Sequence, residues 1–281
     1  MKMINSKEII ASEKAKLIET VKKLNGVPKL CVIQVEGDSA SDRYVNNKKK
    51  LGAEIGIEVE HILLANDVSY ATLLDTITEK NNDDTVNGII VQLPLPEHLK
   101  QYERIFLDSI CPYKDVDGLG AYQIGWLGTK NKHALVPCTA KGVVALLDNV
   151  VEEGLVGKDI CIVNSSYLIG IPLQAILRDK ATVTLCRRFT KDLKNKMRNA
   201  DIVITGIGQA KYFDRSYVSN GQVIIDCSMN FDNGKLCGDY DLESLKSMDV
   251  LIASGPGHTG PFTVLSLIAN TIQAYINQNI M

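Results

Sequence analysis

Short apolar runs rich in valine and isoleucine alternate with longer amphipathic stretches along almost the whole sequence. The runs that predict β-strands are Leu30–Val35, Glu58–Leu63, Gly88–Gln92, Asp159–Val163, Thr182–Leu185, Ile202–Thr205, Val223–Asp226 and Val250–Ala253. The clearest helical stretches are Ser6–Leu24, Ala40–Ile55, Tyr70–Asn81 and Lys141–Val150. Most strand candidates are apolar at consecutive positions, as expected for strands buried on both faces of a parallel sheet. Because such alternation forms right-handed βαβ units, the sequence predicts an α/β fold with doubly wound parallel sheets.

The 281 residues are sufficient for two domains, and the sequence changes character between Cys111 and Thr139. Glycine and proline concentrate there, and periodic apolar residues are few. We therefore predict an N-terminal α/β domain over residues 1–137 and a Rossmann-like doubly wound domain over residues 138–263. A last helix, residues 264–281, follows a second cluster of glycine and proline and is expected to complete the first domain.

The composition is that of a globular protein, with 45% hydrophobic and 23% charged residues. The formal net charge of −2 gives no overall attraction to nucleic acid or to anionic lipid. No apolar stretch approaches the ~18 residues of a membrane-spanning helix, and the start of the chain lacks the apolar core of a signal peptide. The 7 cysteines form no CxxC pair, and the 4 histidines are not spaced as metal ligands. We therefore expect a cytoplasmic protein with reduced thiols and no metal, which binds neither nucleic acid nor membrane.

A tyrosine and a lysine one helical turn apart follow the strand that ends at Val35. Ser39 is placed to cap the helix, with Asp42 as its partner in a capping box. Tyr44 and Lys48 then project from the same side, near the carboxyl end of a parallel strand, where open α/β sheets bind ligands. This segment alone fits a solvated helix face with an incidental aromatic–lysine pair better than it fits a site.

Two further segments place polar residues at the ends of predicted elements. The buried run Gly88–Gln92 ends in a glutamine and continues as the motif LPLP, whose prolines would fix the glutamine at the same edge of the sheet. Residues 114–118, the motif KDVDG, form a charged loop in which Gly118 permits a positive φ. Taken singly, this loop is an ordinary Asx-type turn.

In this order, the motifs YVNNKKK, GIIVQLPLP, KDVDG, PCTAKG and GPGHTGPFT resemble those of the methylenetetrahydrofolate dehydrogenase/methenyltetrahydrofolate cyclohydrolase family. The resemblance extends from about Cys31 to Asn270, and VQLPLP together with KDVDG is not a generic nucleotide-binding pattern. It implies a folate-binding catalytic domain, an NADP-binding domain, tetrahydrofolate derivatives as ligands and a homodimer. The site residues that it implies are Tyr44, Lys48, Gln92, Leu93 and Asp117, with Gly257, Pro261 and Thr263 in a substrate-side loop.

The resemblance implies two reactions, hydride transfer from 5,10-methylenetetrahydrofolate to a nicotinamide cofactor and hydration of the resulting methenyl cation. Hydration needs a base for the attacking water, and a neutral Lys48 would serve if its pKa fell from ~10.4 toward ~7–8. We expect burial and the charges of the two following lysines to lower it. Gln92 would orient the amine by accepting a hydrogen bond, and Tyr44 would stack on the folate rings. Asp117 would accept N–H donors from the pterin.

The cofactor half of the sequence departs from the family pattern. No GxGxxG follows the Asp159–Val163 strand, and Asn164 and Ser165 stand where the family usually has glycine and arginine. Pyrophosphate would bind at the start of the next helix, through backbone N–H groups and serine hydroxyls. The predicted cofactor residues are Asn164, Ser165, Ser166, Ile169, Gly170, Pro172, Arg187, Arg188, Gly206, Gly208 and Asp226.

Two arginines predict the choice of cofactor. An NAD-preferring site would place an acidic residue about 20 residues after the phosphate-binding turn, but this chain has Arg187 and Arg188 there. Their guanidinium groups would bind a 2′-phosphate and compensate for Ser165. We therefore predict NADP rather than NAD, although a pair of exposed surface arginines would give the same sequence.

Three other interpretations remain open from the sequence. The chain would be mainly a cyclohydrolase if the departures in the cofactor half, which include Cys227 to Met229 and His258, weaken the cofactor pocket. The chain could also be a folate- or nucleotide-binding relative without catalytic activity, but the presence of Lys48 and Gln92 argues against this interpretation. The interpretation as an unrelated hydroxy-acid dehydrogenase lacks support, because no histidine and carboxylate are spaced in the sequence as a catalytic pair would be.

Overall fold

The structure is a computed structural model that describes the backbone of residues 1–37 and 39–280. It also describes the side chains of these residues except 39–43 and 280. The side chains of Ser39 and Asp42, proposed above as a capping box, therefore lie outside the described residues. The chain forms two units. The three-stranded unit comprises Ser12–Cys138 and Val264–Met281, and the six-stranded unit comprises Met1–Ala11 and Thr139–Thr263.

The elements follow one another in the alternating order of an α/β protein. The strands are β1 (Lys2–Met3), β2 (Lys29–Val35), β3 (Glu58–Leu64), β4 (Gly88–Val91), β5 (Asp159–Val163), β6 (Thr182–Cys186), β7 (Ile202–Thr205), β8 (Val223–Asp226), β9 (Asn230–Asp232), β10 (Lys235–Cys237) and β11 (Leu251–Ala253). The helices are α1 (Ser6–Val21), α2 (Ser39–Ile55), α3 (Tyr70–Asn81), α4 (Glu97–Lys100), α5 (Glu103–Ser109), α6 (Ala121–Thr129), α7 (Cys138–Val150), α8 (Gly170–Leu177), α9 (Leu193–Arg198) and α10 (Gly260–Ile280). The predicted two-domain α/β fold with parallel sheets is thus confirmed.

The sheet of the three-stranded unit is parallel and has the strand order β3-β2-β4. The central strand β2 is buried along most of its length, whereas Leu63 in the edge strand β3 is 49% exposed. The expectation of strands buried on both faces therefore fails at β3, none of whose residues is fully buried, although the other edge strand, β4, is buried throughout. The strand order reverses between β2 and β4, and ligands bind at such switch points, outside the carboxyl ends of the strands.

The sheet of the six-stranded unit is parallel and has the order β1-β11-β8-β7-β5-β6. The chain passes from β5 outward to β6 and then returns to β7, so the switch point of this sheet lies between β5 and β7. At the opposite edge β1 pairs with β11 through Lys2↔Leu251 and Met3↔Ile252. Residues 1–11 consequently group with this unit, whereas the sequence had assigned them to the first domain. A two-residue strand carries too little periodicity to be recognised from sequence.

Helix α6 lies inside the segment that the sequence predicted to be a loop. Its glycines Gly125 and Gly128 face open space, so they cost helix propensity but disturb no packing contact. Gln123 and Leu127 are buried and fix the helix in place. Gln123 Nε2 donates to Pro112 O at 2.6 Å, and its Oε1 accepts from Leu135 N at 2.8 Å. Long-range hydrogen bonds therefore stabilise a helix that its local composition does not favour.

The structure also bears on membrane insertion, disulfides and metals. In the part of the chain that the structure describes, every helix is too short or too polar to span a lipid bilayer. All 7 cysteines are free thiols. Among the described side chains, no group of three or more histidines, cysteines, aspartates or glutamates is arranged to hold a metal ion.

Candidate active site

In the three-stranded unit, Lys48 and Gln92 lie on either side of the switch point. Lys48 is on α2, and Gln92 follows the last residue of β4. Lys48 Nζ donates to Gln92 Oε1 at 2.6 Å, while Gln92 Nε2 donates to Leu93 O at 2.6 Å. Because the amide nitrogen is engaged by a backbone carbonyl, the amide oxygen is turned toward the amine.

The surroundings of Lys48 favour its neutral form. Burial lowers the pKa of Lys48, and the charge of Asp117 and the nearby Cys138 oppose that shift. Burial also raises the pKa of Asp117, against the opposing effects of Lys48 and of a hydrogen bond with Cys138. Lys49 and Lys50, whose charges were expected to contribute, are exposed, so the desolvation of the amine has the larger effect.

Asp115, which the sequence analysis did not assign to the site, holds the loop that carries Asp117. Asp115 is only 2% exposed, and its carboxylate accepts from Gly118 N at 3.0 Å and from Gly120 N at 2.7 Å. Burial, together with the charge of Asp117, raises the pKa of Asp115 to about 7. Gly118 has a φ of +74°, which confirms the prediction of a positive φ there. The first aspartate of KDVDG was the signal that could have identified this role.

Cys138 and Asn270 also support the Asp117 loop. Cys138 Sγ donates to Val116 O at 3.4 Å. Asn270 Nδ2, on α10, donates at 2.8 Å to both Val116 O and Val136 O. The last helix therefore ties together the two segments that flank Asp117 and Cys138. Since these contacts join residues far apart in sequence, motif spacing could not reveal them.

Tyr44 and Leu93 present apolar surface in the same unit. Tyr44 lies on α2, one helical turn before Lys48, and is 45% exposed. Leu93 is half-buried and begins the proline-rich exit from β4. An exposed aromatic ring on the helix that carries a buried amine is well suited to stack on a planar ligand.

The predicted substrate-side loop belongs to the six-stranded unit. Gly257, with a φ of +86°, follows β11, and Pro261 and Thr263 lie in the first turn of α10. His258, one of the departures from the family pattern, lies in the same loop and is not among the residues with positive φ. Its Nδ1 shares a hydrogen bond of 3.0 Å with Ser6 Oγ. Burial lowers the pKa of His258.

A cavity of about 670 Å³ opens in the six-stranded unit at the switch point between β5 and β7. Its size is in the range of sites for small molecules and cofactors, roughly 300–1,000 Å³. The predicted cofactor residues that line it are Asn164, Ser165, Ser166, Arg187, Arg188 and Gly206. Lining residues that the sequence analysis missed are Val163, Leu193, Ile207, Gln209, Tyr212 and Phe213. Tyr212 and Phe213 are adjacent aromatic residues that follow the loop after β7, and this pattern could have indicated that they line a site.

Asn164 closes the turn after β5 with its own side chain. Its Oδ1 accepts from Ser166 N at 2.8 Å, from Ser166 Oγ at 2.7 Å and from Gly170 N at 3.2 Å. Its Nδ2 donates to Gly206 O at 2.6 Å, so the same side chain joins the loops after β5 and β7. Asn164, which replaces the glycine usual in the family, thus stabilises the loops after β5 and β7 at the edge of the cavity.

The first turn of α8 is less open to an anion than the sequence suggested. Gly170 N bonds to Asn164, Ile171 N donates to Ser166 O at 3.0 Å, and Pro172 has no N–H. The expectation that these backbone amides bind pyrophosphate therefore needs correction. Besides Asn164, the polar residues of this loop that line the cavity are Ser165 and Ser166.

Five predicted cofactor residues, all in the described part of the chain, are not among those that line the cavity: Ile169, Gly170, Pro172, Gly208 and Asp226. Asp226 is fully buried, and its carboxylate accepts from Ser228 N at 3.0 Å, Asp239 N at 2.7 Å and Ser254 Oγ at 2.5 Å. Burial raises the pKa of Asp226 to about 6. Its carboxylate therefore organises the backbone behind the cavity instead of facing a ligand.

We predict that Asp115→Asn lowers the free energy of unfolding of this protein by ~1–3 kcal/mol, because one buried amide then loses its acceptor. Urea denaturation followed by circular dichroism measures the change. Asp84→Asn, the same change at an exposed position, serves as the control. Equal unfolding midpoints for Asp115→Asn and the parent protein would contradict the role given to Asp115.

The sequence of this chain matches known protein families over both of its units. The profile of the tetrahydrofolate dehydrogenase/cyclohydrolase catalytic domain matches residues 4–117. The profile of the NAD(P)-binding domain of the same enzymes matches residues 137–279. A bifunctional protein FolD from Vesicomyosocius okutanii is 40% identical over 277 residues, which cover 98% of this chain and 99% of that protein.

Solved structures give the same assignment. The bifunctional FolD methylenetetrahydrofolate dehydrogenase/cyclohydrolase from Campylobacter jejuni has a TM-score of 0.91 and 34% identity, with 99% of each chain covered. The FolD enzyme of Trypanosoma brucei, complexed with NADP and an inhibitor, has a TM-score of 0.89 and 27% identity over 99% of this chain and 98% of that one. The chain belongs to the tetrahydrofolate dehydrogenase/cyclohydrolase family.

Proposed function

We propose that this protein oxidises 5,10-methylenetetrahydrofolate with NADP and hydrolyses the resulting 5,10-methenyltetrahydrofolate to 10-formyltetrahydrofolate. Its family and its bifunctional relatives support both activities. The observation that carries the hydrolytic step is the hydrogen bond from the desolvated Lys48 amine to the Gln92 amide oxygen.

In the hydrolytic step Lys48 acts as the base. Water attacks the methenyl carbon, and the proton that it loses passes to Lys48 Nζ as the C–O bond forms. The C–N5 bond then breaks while the ammonium returns a proton to N5, and the hydroxyl proton passes to solvent water as the formyl C=O forms. A neutral amine suits this chemistry, because a charged ammonium would repel the cationic substrate and could not accept a proton.

Gln92, Asp117 and Tyr44 position the reacting groups. Gln92 turns its amide oxygen to the amine and adds no charge that would keep the amine protonated. Asp117 accepts N–H groups of the pterin, a role consistent with a half-buried residue in a fixed loop. Tyr44 stacks its exposed ring on the folate, with Leu93 as further apolar contact.

The cavity of the six-stranded unit fits NADP. Bound there, NADP would supply the nicotinamide ring as the hydride acceptor. Arg187 and Arg188, at the end of β6, bind its 2′-phosphate. The hydroxyls of Ser165 and Ser166 bind the pyrophosphate, and the apolar lining accommodates the adenine.

A second candidate is an enzyme that is mainly a cyclohydrolase. The observation that favours it is that the amides of Gly170 and Ile171 are already engaged within their loop. Fewer backbone donors for pyrophosphate would weaken the binding of the cofactor while leaving the Lys48 site intact.

An absorbance assay at the methenyl chromophore distinguishes the two candidates. With 5,10-methylenetetrahydrofolate and NADP, the bifunctional enzyme forms NADPH and then 10-formyltetrahydrofolate. A cyclohydrolase alone forms no NADPH but still removes added methenyltetrahydrofolate. If the purified protein catalyses neither reaction, the proposed function is wrong.

We also propose a cytoplasmic homodimer that acts in one-carbon metabolism. The family resemblance supports this assembly, and the 7 free cysteines fit a reducing compartment. Light scattering after size-exclusion chromatography should give twice the mass of one chain. A monomer at assay concentration would contradict the proposed assembly.

We predict that Gln92→Glu moves the acid limb of the cyclohydrolase pH profile ~1–3 units toward higher pH. The new carboxylate would lie beside Lys48 Nζ, at the position that Gln92 Oε1 occupies 2.6 Å away. It raises the pKa of the amine, so the neutral, active form appears only at higher pH. Initial rates of methenyl hydrolysis, measured as a function of pH until the acid limb of both proteins is complete, give the displacement.

The matched control for this variant is Gln101→Glu, which adds the same charge at an exposed position. Its acid limb should coincide with that of the parent enzyme, since surface charges are screened by solvent. An acid limb that stays in place in Gln92→Glu would contradict the assignment of Lys48 as the titrating base.

A further inference from the structure

The carboxylate of Asp239, in the six-stranded unit, is fully buried and accepts hydrogen bonds on both oxygens. Oδ2 accepts from Ile207 N and from Ser228 Oγ, each at 2.7 Å. Oδ1 accepts from Gln209 N at 3.0 Å and from Asn230 Nδ2 at 3.1 Å. Asp239 itself is 0% exposed and is not one of the residues that line the cavity.

The segment that Asp239 holds, residues 206–209, is the loop that leaves β7 and lines the cavity. Gly206, Ile207 and Gln209 are lining residues. Gly208 N donates at 3.0 Å to Ser228 Oγ, which in turn donates to Asp239. A loop with glycines at 206 and 208 has little conformational preference of its own. Its conformation therefore depends on its hydrogen-bond partners, and Asp239 and Ser228 supply the acceptors for the amides of residues 207–209.

The position of Asp239 is itself fixed. Its backbone N donates to Asp226 Oδ2 at 2.7 Å. The preceding residue, Gly238, packs so closely that an added Cβ would lie 2.0 Å from Asp226 Oδ2 and 2.3 Å from Ser254 Oγ. Asp226 at the end of β8 thus anchors Asp239, and Asp239 anchors the loop after β7.

We propose that Asp239 is a positioning residue for the dehydrogenase reaction, because it fixes residues 206–209 against bound NADP without touching the cofactor. This inference rests on the proposed function. In Asp239→Asn, the side-chain NH₂ would face one of the two backbone N–H groups that now donate to the carboxylate, so that one hydrogen bond would be lost. The loop would then lose its single conformation, and the cofactor would be held in a less productive geometry.

The experiment compares Asp239→Asn with Asp241→Asn, the same change two residues along the chain. Asp241 accepts from Glu243 N at 3.2 Å and is not among the residues that line the cavity. For Asp239→Asn we expect kcat/KM for NADP to fall ~10–100-fold, with a higher KM for NADP and a lower kcat. The KM for the folate and the cyclohydrolase rate should stay within about twofold of the parent values, because the Lys48 and Gln92 site belongs to the other unit.

This split separates positioning from general damage to the fold. A destabilised fold lowers the active fraction, which reduces kcat for both reactions and leaves both KM values unchanged. If Asp239→Asn and Asp241→Asn have the same KM and kcat for NADP, the proposal is wrong. A parent enzyme that neither binds nor reduces NADP would instead sink the proposed dehydrogenase function, before any variant is compared.

A milder variant decides the case if Asp239→Asn also loses cyclohydrolase activity. Ser228→Ala removes the hydroxyl that accepts from Gly208 N and donates to Asp239. A fall of ~3–10-fold in kcat/KM for NADP with unchanged cyclohydrolase activity supports the proposal. Parent values for both reactions in Ser228→Ala would overturn it.

Discussion

Replacing Lys48 by methionine is expected to lower the cyclohydrolase rate by ~10²–10⁴-fold, the usual contribution of a general base. Methionine keeps the length and apolar stem of the lysine but has no group to accept the proton of the attacking water. Folate binding should remain measurable, because Tyr44, Leu93 and Asp117 are unchanged. Decay of the methenyl absorbance measures the rate, and quenching of intrinsic fluorescence by a folate analogue measures binding.

The neighbouring lysine provides the control. Lys49→Met makes the same substitution on α2 at an exposed position and should hydrolyse methenyltetrahydrofolate at the parent rate. Hydrolysis by Lys48→Met at that same rate would show that the amine is not the base. Loss of folate binding together with activity would instead indicate that Lys48 acts mainly in binding the substrate.

Replacing both Arg187 and Arg188 by alanine is expected to raise the KM for NADP by ~100-fold or more, while the KM for NAD stays within about threefold. Each guanidinium–phosphate hydrogen bond is worth ~1.5–3 kcal/mol, and NAD has no 2′-phosphate to lose such bonds. The arginines are held in place locally. Arg187 N donates to Thr190 Oγ1 at 2.8 Å, and the Arg188 guanidinium lies 5.7 Å from the centre of the Phe189 ring.

Steady-state kinetics with both cofactors tests this prediction, and Arg215→Ala is the matched control. Arg215 is exposed in the same unit and is not among the residues that line the cavity. Its removal should leave the ratio of the two KM values unchanged. An unaltered preference for NADP in the double variant would mean that the 2′-phosphate is recognised elsewhere.

Most of the strands could be predicted from sequence because they are compact apolar runs, as in Ile202–Thr205 of β7. The short strands β1, β9 and β10 could not. β1 has two residues, and its pairing with β11 depends on a segment at the other end of the chain. The β9–β10 hairpin has three residues in each strand and exposes Phe231, so it has no buried face to set a pattern.

The site was only partly predictable, for a related reason. Motifs indicated the loops that carry Gln92, Asp117 and Asn164, because strand ends and turns have local signatures. They could not indicate which polar side chains face a cavity and which are buried behind it. Asp226 looked like a cofactor residue in sequence, yet its carboxylate is used by backbone and hydroxyl donors from distant segments.

The most direct test of the central claim is a crystal structure with a stable analogue of 5,10-methenyltetrahydrofolate bound. The amine of Lys48 should lie within ~3.2 Å of a water molecule positioned to attack the one-carbon bridge, with Gln92 still accepting its hydrogen bond. An amine that points into solvent, with no water between it and the bridge, would contradict the account.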